Sequence, residues 1–362
     1  MRGFLRNIDK YCGKIKVFLF SLFKKSHKKD LKFNRILIIK FWAIGDSVIS
    51  LSLIKALKEK YPDCKIDVLT SKSVKDVYKC GSADNIIRID SFFTICKLLF
   101  QFNKYDLTLD CEPYFNISAL FSFYLGKRRI GFADQYRSRL YTDVVKFRKD
   151  QHMVQNYLDM LRVVGVDYQT DSLVKLIVSD DVRFKVDNYI KENFSDKKIV
   201  GFCTGISGSV KSRMWFEDRF AQLADKIVQE LDYQVAFLDS LSNQETVETI
   251  RNMMNEDAIS TLGKLSLKEV FYFISKCDVF ISNDTGLMHI AAAQGCKTIG
   301  LFGPNTPVLW APYGKNNVSI YKTDLLPSIQ NDKGVFEDRN REEYMGVISI
   351  NDVFEKVKRL QN

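Results

Sequence analysis

The segment from Asp278 to Gly303 constrains the fold more than any other part of this chain. Val279, Phe280 and Ile281 suit a buried strand, and the polar turn Ser282-Asn283-Asp284-Thr285-Gly286 follows it. A helix through Leu287-Met288-His289 and Ala291-Ala292-Ala293 then leads to a second strand over Thr298 to Gly303. Gly286 lets backbone pass close to a ligand, and Gly295 suits a helix C′ position. Strand, turn, helix, strand is the repeating unit of an open α/β sheet. In such a sheet the turn lies at the carboxyl edge, where unpaired helix N–H groups and the macrodipole attract phosphate. The ligand this predicts is a nucleotide.

The rest of the chain carries a second copy of this logic. Arg35 to Lys40 reads as a strand, Phe41 to Asp46 as a loop, and Ser47 to Lys60 as a helix whose Ile49, Leu53, Ala56 and Leu57 form one stripe. Pro62 ends that helix. Further strands are expected over Ile66 to Thr70, Ile86 to Ile89 and Leu107 to Asp110, and a helix over His152 to Val164 before Gly165. The polar stretch around Asp180 to Lys198 marks the domain boundary. Beyond it come a strand from Ile199 to Cys203, a helix over Glu217 to Glu230, a strand over Gln234 to Leu238, and a final helix over Asn351 to Leu360. The expected domains are 35–185 and 186–362, preceded by an extension over 1–34.

Composition excludes several classes. With 362 residues, 46% hydrophobic and 27% charged, the chain suits two globular domains and is neither disordered nor fibrous. Its eight cysteines are scattered, with no C-x-x-C pair and no metal-ligand spacing, which fits a reduced, cytoplasmic compartment. The formal charge of +10 sits mainly in residues 1–34, where ten Lys/Arg face only Asp9 and Asp30. There the run Ile15-Lys16-Val17-Phe18-Leu19-Phe20-Ser21-Leu22-Phe23 is flanked by Lys10, Lys14, Lys24, Lys25, Lys28 and Lys29. It is too short to span a bilayer, which takes about 20 residues, and lacks a signal-peptide cleavage site. Two readings stand: a basic amphipathic helix on an anionic membrane surface, or a tail or helix resting on the protein body. Nucleic acid is not expected as a partner, since the remainder lacks a basic stripe.

Two segments together resemble glycosyltransferase family 9, the lipopolysaccharide heptosyltransferases: Ile36 to Lys40 through Ala43-Ile44-Gly45-Asp46, and Ser282-Asn283-Asp284-Thr285-Gly286-Leu287-Met288-His289. Tyr105 to Asp110, Arg129 to Phe132, Trp215 to Ala224 and Leu301-Phe302-Gly303-Pro304 follow in family order. The resemblance covers Arg35 to the C-terminus. It implies an α/β chain of the GT-B fold, two Rossmann-like domains facing a central cleft, with the acceptor on the N-terminal domain and the nucleotide-sugar on the C-terminal one. It further implies inverting transfer of heptose or a related sugar, from ADP-heptose, to a lipid-linked phosphorylated saccharide of the lipopolysaccharide core. No metal and no other cofactor is required, and the location implied is cytoplasmic, peripheral on the inner face of the bacterial inner membrane.

Residue roles follow from the same resemblance. Asp46 matches the general base, because inversion needs a carboxylate to take the acceptor hydroxyl's proton. Gly45 opens the loop beside it. Aspartate is also a favoured N-cap, and local sequence alone does not separate the two readings. Asp284, Thr285, Gly286 and His289 match donor-site positions, with Asp284 assigned to donor hydroxyls or loop order, and Thr285 and His289 to phosphate or sugar. Capping and core packing are the plain alternatives for the same residues. Where the family has Lys-Arg-Trp-Pro, this chain reads Lys211-Ser212-Arg213-Met214-Trp215-Phe216, so Arg213 or Lys211 takes the lysine's role beside the diphosphate. Thr204 and Glu245 are further donor candidates. Arg128, Arg129, Arg137 and Arg139 are acceptor candidates, or else a solvated basic face. The rival reading is a catalytically silent nucleotide-sugar-binding or scaffold protein of the same fold. A nicotinamide dehydrogenase is disfavoured, because no G-x-G-x-x-G follows either first strand.

Overall fold

The apolar runs become strands, and every strand pairs only with parallel neighbours, so the polar turns of each sheet collect at one edge. The computed structural model describes residues 2–23, 33–98, 100–133, 135–206, 210–324 and 340–361. The chain divides into two compact units, Met1–Thr170 and Asp171–Asn362.

In the first unit the order is α1 (Arg2–Ser21), β1 (Arg35–Ile39), α2 (Ile44–Lys60), β2 (Lys65–Thr70), α3 (Lys75–Cys80), β3 (Asn85–Arg88) and α4 (Phe92–Leu98). It continues through β4 (Tyr105–Asp110), α5 (Asn116–Leu125), β5 (Gly126–Phe132), β6 (Asp143–Val145) and α6 (Met153–Arg162). The sheet order is β3-β2-β1-β4-β5-β6. Central β1 puts Leu37 and Ile39 under α4 and α5, where they pack with Leu98 and Leu125. Right-handed crossovers place α2 and α3 on the opposite face, where α2 also packs against α6. Helix α2 is buried along most of its length and starts at Ile44, so Gly45 and Asp46 lie in its first turn, whereas the sequence suggests a loop there.

The extension forms α1, which rests on α5. The Asp9 carboxylate accepts from the backbone N–H groups of Asn116 and Ile117, both at 2.8 Å, and so caps α5 from outside. Val17 is fully buried in a cluster with Ala119, Leu140 and Tyr141. Lys24, Lys25, Lys28 and Lys29 lie outside the described residues. Among the described residues no helix is long and apolar enough to cross a membrane.

The second unit runs α7 (Asp180–Asn193), β7 (Ile199–Cys203), α8 (Glu217–Leu231), β8 (Gln234–Phe237), α9 (Gln244–Met253), β9 (Ala258–Ser260) and α10 (Leu267–Ile274). It closes with β10 (Val279–Asn283), α11 (Gly286–Gln294), β11 (Lys297–Phe302), α12 (Pro307–Trp310), β12 (Val318–Tyr321), α13 (Arg341–Met345) and α14 (Ile350–Gln361). Its sheet order is β12-β11-β10-β7-β8-β9. The polar stretch read as a boundary is helix α7, and it belongs wholly to this unit. It docks on α10 through Tyr189 against Phe273, and Asp187 pairs with Lys276, just past the end of α10, at 2.9 Å. Only Val186 of α7 is buried, which is why no apolar stripe announced it. Helix α14 returns to α8 and buries Val353, Phe354 and Val357 in the core of this same unit.

Candidate active site

In the first unit the site begins at the carboxyl end of β1. Lys40 follows four apolar residues and stays in register, its N–H donating to the Leu69 carbonyl at 3.1 Å. Its side chain is therefore buried at the middle of the sheet edge. The ammonium lies 3.3 Å from Glu112 Oε1 and 3.4 Å from Asp46 Oδ2. Burial works against the ammonium, but the two carboxylates outweigh it and raise its pKa, so Lys40 is a fixed positive charge. Glu112 Oε1 also accepts from Phe41 N at 2.6 Å and Trp42 N at 3.3 Å, pinning the connection from β1 to α2.

That connection is tight. Ala43 holds φ at +70°, in the left-handed half of the map, and serves as the N-cap of α2 without a side-chain hydrogen bond. Asp46 is therefore not the N-cap. It sits in the first turn of α2, four-fifths buried, with its carboxylate against Lys40. Gly45 is buried beside it.

Three of the four arginines named as acceptor candidates have partners within the unit. Arg128 pairs with Asp143 at 3.0 Å and donates to the Val163 carbonyl at 3.1 Å. Arg129 is buried and donates to the carbonyls of Leu140, Gly126 and Lys127. Arg137 is buried with Asp110 at 3.2 Å and also bonds Ser118 and the carbonyls of Phe115 and Glu112. These three guanidinium groups cross-link β4, β5 and the turns above them. Arg139 alone is exposed, lying 4.5 Å over the Tyr136 ring.

In the second unit the site lies at the carboxyl ends of β7, β10 and β11. Asn283 is buried and hydrogen-bonded at both ends of its amide: Oδ1 accepts from Trp215 N at 3.0 Å, and Nδ2 donates to the Thr204 carbonyl at 2.6 Å. It thereby joins the loop after β7 to the segment carrying Arg213. Asp284 is buried too, and its Oδ2 accepts from Asn305 Nδ2 at 2.7 Å and pairs with Arg213 at 3.3 Å. Both contacts order the loop, one of the two roles assigned to Asp284. Arg341 locks the same segment, donating to the carbonyls of Met214 and Trp215 at 2.8 Å each and pairing with Glu217 at 2.7 Å. Arg213 is thus held in place from behind, while Lys211 is exposed.

Thr285 occupies the N-cap of α11, yet its side chain does not cap. Its Oγ1 turns to Ser282 Oγ at 3.2 Å and Cys203 Sγ at 3.4 Å. The N–H groups of Gly286 and the next residues therefore keep their capacity to bind an anion. Gly295 ends the helix at φ +80°, as its sequence position suggests. His289 is buried, and burial lowers its pKa to about 4, so it is a neutral hydrogen-bonding group and not a cation. Its Nδ1, Thr204 Oγ1 and Asn305 Oδ1 are buried with no hydrogen-bond partner among the described residues. Glu245 is exposed in the first turn of α9.

Lys40, Glu112, Asn283, Asn305 and Arg341 had no assigned role from sequence. A lysine ending an apolar strand was one available signal, and an asparagine two residues beyond Gly303 was another; the pairings themselves are long-range. Among the described residues no group of three or more His, Cys, Asp or Glu is arranged to hold a metal ion.

Residues 98–335 match the model of glycosyltransferase family 9 (heptosyltransferase). This chain belongs to that family. Lipooligosaccharide heptosyltransferase 2 of Haemophilus influenzae is 27% identical to it over 302 residues, spanning 77% of this chain and 86% of the relative. Among solved structures, the family 9 glycosyl transferase of Veillonella parvula superposes with a TM-score of 0.77 at 20% identity, covering 92% of this chain and 98% of that one. Escherichia coli ADP-heptose lps heptosyltransferase II gives 0.73 at 23% identity, covering 90% and 98%. The fold of this family 9 glycosyltransferase is GT-B, an α/β architecture with two parallel six-stranded sheets.

Proposed function

We propose that this chain is an inverting glycosyltransferase that moves heptose from ADP-heptose to a saccharide of the lipopolysaccharide core. Family membership supports the reaction class, and the relative named lipooligosaccharide heptosyltransferase 2 supports the sugar and the acceptor. The observation that carries the assignment is the N-terminus of α11 beside Arg213, an arginine fixed by Asp284 and by the Arg341-locked segment. This is a donor array for an anion, and the leaving group of a nucleotide-sugar transfer is a diphosphate.

Asp46 is the base in this mechanism. It takes the proton of the acceptor hydroxyl as that oxygen bonds to the anomeric carbon from the face opposite the diphosphate. The bond from the anomeric carbon to the diphosphate oxygen breaks, and its electron pair leaves with the nucleotide. Arg213 and the first N–H groups of α11 stabilise that charge, with Lys211 as an outer cation. His289 and Thr204 offer neutral hydrogen bonds to the donor. Lys40 keeps the Asp46 carboxylate oriented and the turn below it closed. Because the acceptor is lipid-linked, the reaction belongs at the inner face of the inner membrane.

Asp46→Asn tests the mechanism, since it keeps the shape and loses the base. The expected result is a loss of transfer of about 10²- to 10⁴-fold with ADP affinity unchanged. Full transfer by the variant removes Asp46 from the chemistry. Donor binding by the wild-type chain without turnover on any truncated core would favour the silent binding protein.

A further inference from the structure

The first unit carries an apolar, positively charged face that is exposed among the described residues, and we infer that it is a docking surface for an anionic lipid bilayer built from two separate segments, α1 and the α4–β4 connection. This goes beyond the transfer reaction and does not rest on it.

Helix α1 has two opposed stripes. Asp9, Gly13 and Val17 follow a spacing of four and turn inward to α5, where Gly13 leaves room for Asn116. Ile15, Phe18, Leu19 and Leu22, at i, i+3, i+4 and i+7, turn outward and are 64%, 47%, 51% and 66% exposed. A helix that merely rested on the protein would bury its apolar stripe. This one buries a small and polar stripe and presents the apolar one to solvent.

The second segment lies on the same layer. Phe92 and Phe93 open α4, and Phe100 and Phe102 follow its end; all four are exposed, Phe100 by 89%. Helix α5 connects the two segments. Asp9 caps the start of α5 and Phe20 meets Phe123 near its end, ring centroids 5.5 Å apart, so α1 and α5 run in the same direction. Beside Phe123, Tyr124 holds Phe102 at 5.3 Å. The exposed rings of α1 and of the α4–β4 connection therefore flank one helix end. Of the exposed phenylalanines among the described residues, only Phe184 lies elsewhere.

Charge selects the occupant. Exposed Lys14, Lys16 and Lys97 rim the rings. Between Asp9 and Asp30 the sequence has no acidic residue, and none occurs from Ser91 to Lys104 or from Asn116 to Leu125. Asp9, the acidic residue of α1, is turned inward as the α5 cap. Two copies meeting through this face would set lysine against lysine. An anionic interface satisfies both the rings and the ammonium groups.

The test is flotation of the full-length protein with phosphatidylethanolamine–phosphatidylglycerol vesicles, beside phosphatidylcholine vesicles. Wild type should float with the anionic vesicles and largely stay behind with the neutral ones. Phe93→Ser/Phe100→Ser, on exposed positions of the second segment, should lower the partition about tenfold while leaving the melting temperature in place. Phe93→Trp should show a blue-shifted emission when anionic vesicles are added. Wild-type-like flotation by the double variant, or an unshifted emission from the tryptophan variant, would leave α1 as sole anchor and overturn the two-segment face. Failure of wild type to float, or self-association abolished by the same substitutions, would overturn lipid as the occupant.

Discussion

Lys40→Met should uncouple the ion cluster under Asp46, and its cost follows from the geometry. With Nζ 3.3 Å from Glu112 and 3.4 Å from Asp46, each gross attraction is about 5 kcal/mol at an effective dielectric of about 20. Most of that is offset by the desolvation of Lys40 itself. What the substitution leaves is a carboxylate, Glu112, at 3% exposure without its ion-pair partner, while Asp46 at 20% can partly rehydrate. Breaking one side of such a pair costs about 3–5 kcal/mol; because Glu112 keeps the N–H groups of Phe41 and Trp42, the lower end, about 3 kcal/mol, is expected. Adding Glu112→Gln removes the stranded charge yet preserves an acceptor for both N–H groups. The double variant should then recover about 2 kcal/mol or more of the loss. Two units need not unfold together, so the readout is hydrogen exchange of the Phe41 and Trp42 amides against urea concentration. A single variant within about 1 kcal/mol of wild type, or a double variant no better than the single, would show that Lys40 does not neutralise Glu112.

Other perturbations reach the second unit. His289 has its pKa lowered to about 4 from 6.5, so the unfolded chain binds a proton first as pH falls; stability is lost from about pH 6.5 downward until the folded pKa is passed. His289→Gln should abolish about 2 kcal/mol of the stability difference between pH 7 and pH 5 in urea titrations, and an unchanged pH slope would contradict the buried neutral imidazole. At Gly205 an added Cβ would collide with Asn243, whose Nδ2 holds Asp239 at 2.6 Å while Asp239 also accepts from Gly205 N. Gly205→Ala should cost about 1–3 kcal/mol in thermal unfolding and weaken ADP binding by calorimetry, and wild-type values in both would disprove the close fit. Arg341→Ala frees the segment bearing Arg213, so steady-state kinetics should show a several-fold lower kcat and kcat/KM for the donor; unchanged values of both would show that the lock does not position Arg213.

Much of this was legible because it is local. A buried parallel strand needs a short apolar run, so Ile36 to Ile39, Ile199 to Cys203 and Val279 to Ile281 declared themselves, as did the turn at Asp284-Thr285-Gly286. Strand β5 did not, because Lys127, Arg128 and Arg129 interrupt its apolar pattern, and their partners lie on other elements, Asp106 on β4 for Lys127 and Asp143 on β6 for Arg128. Helix α7 was hidden by its exposure, and α1 left two readings open because periodicity reports that a stripe exists without saying which way it faces.

The sequence alone determined the α/β class, the basic N-terminal segment, and a phosphate-suited turn between β10 and α11, since backbone preference and apolar periodicity act over a few residues. Tertiary structure decided what each charge does. Lys40 and Glu112 stand 72 residues apart, and Arg213 and Asp284 stand 71 apart, so only the folded sheets bring them within 3.3 Å. The same packing turned Arg129 and Arg137 into braces and left the outward rings of α1 beside those of α4. A charge or a ring takes its role from what surrounds it, and those surroundings are set by strand order and helix packing rather than by neighbours along the chain.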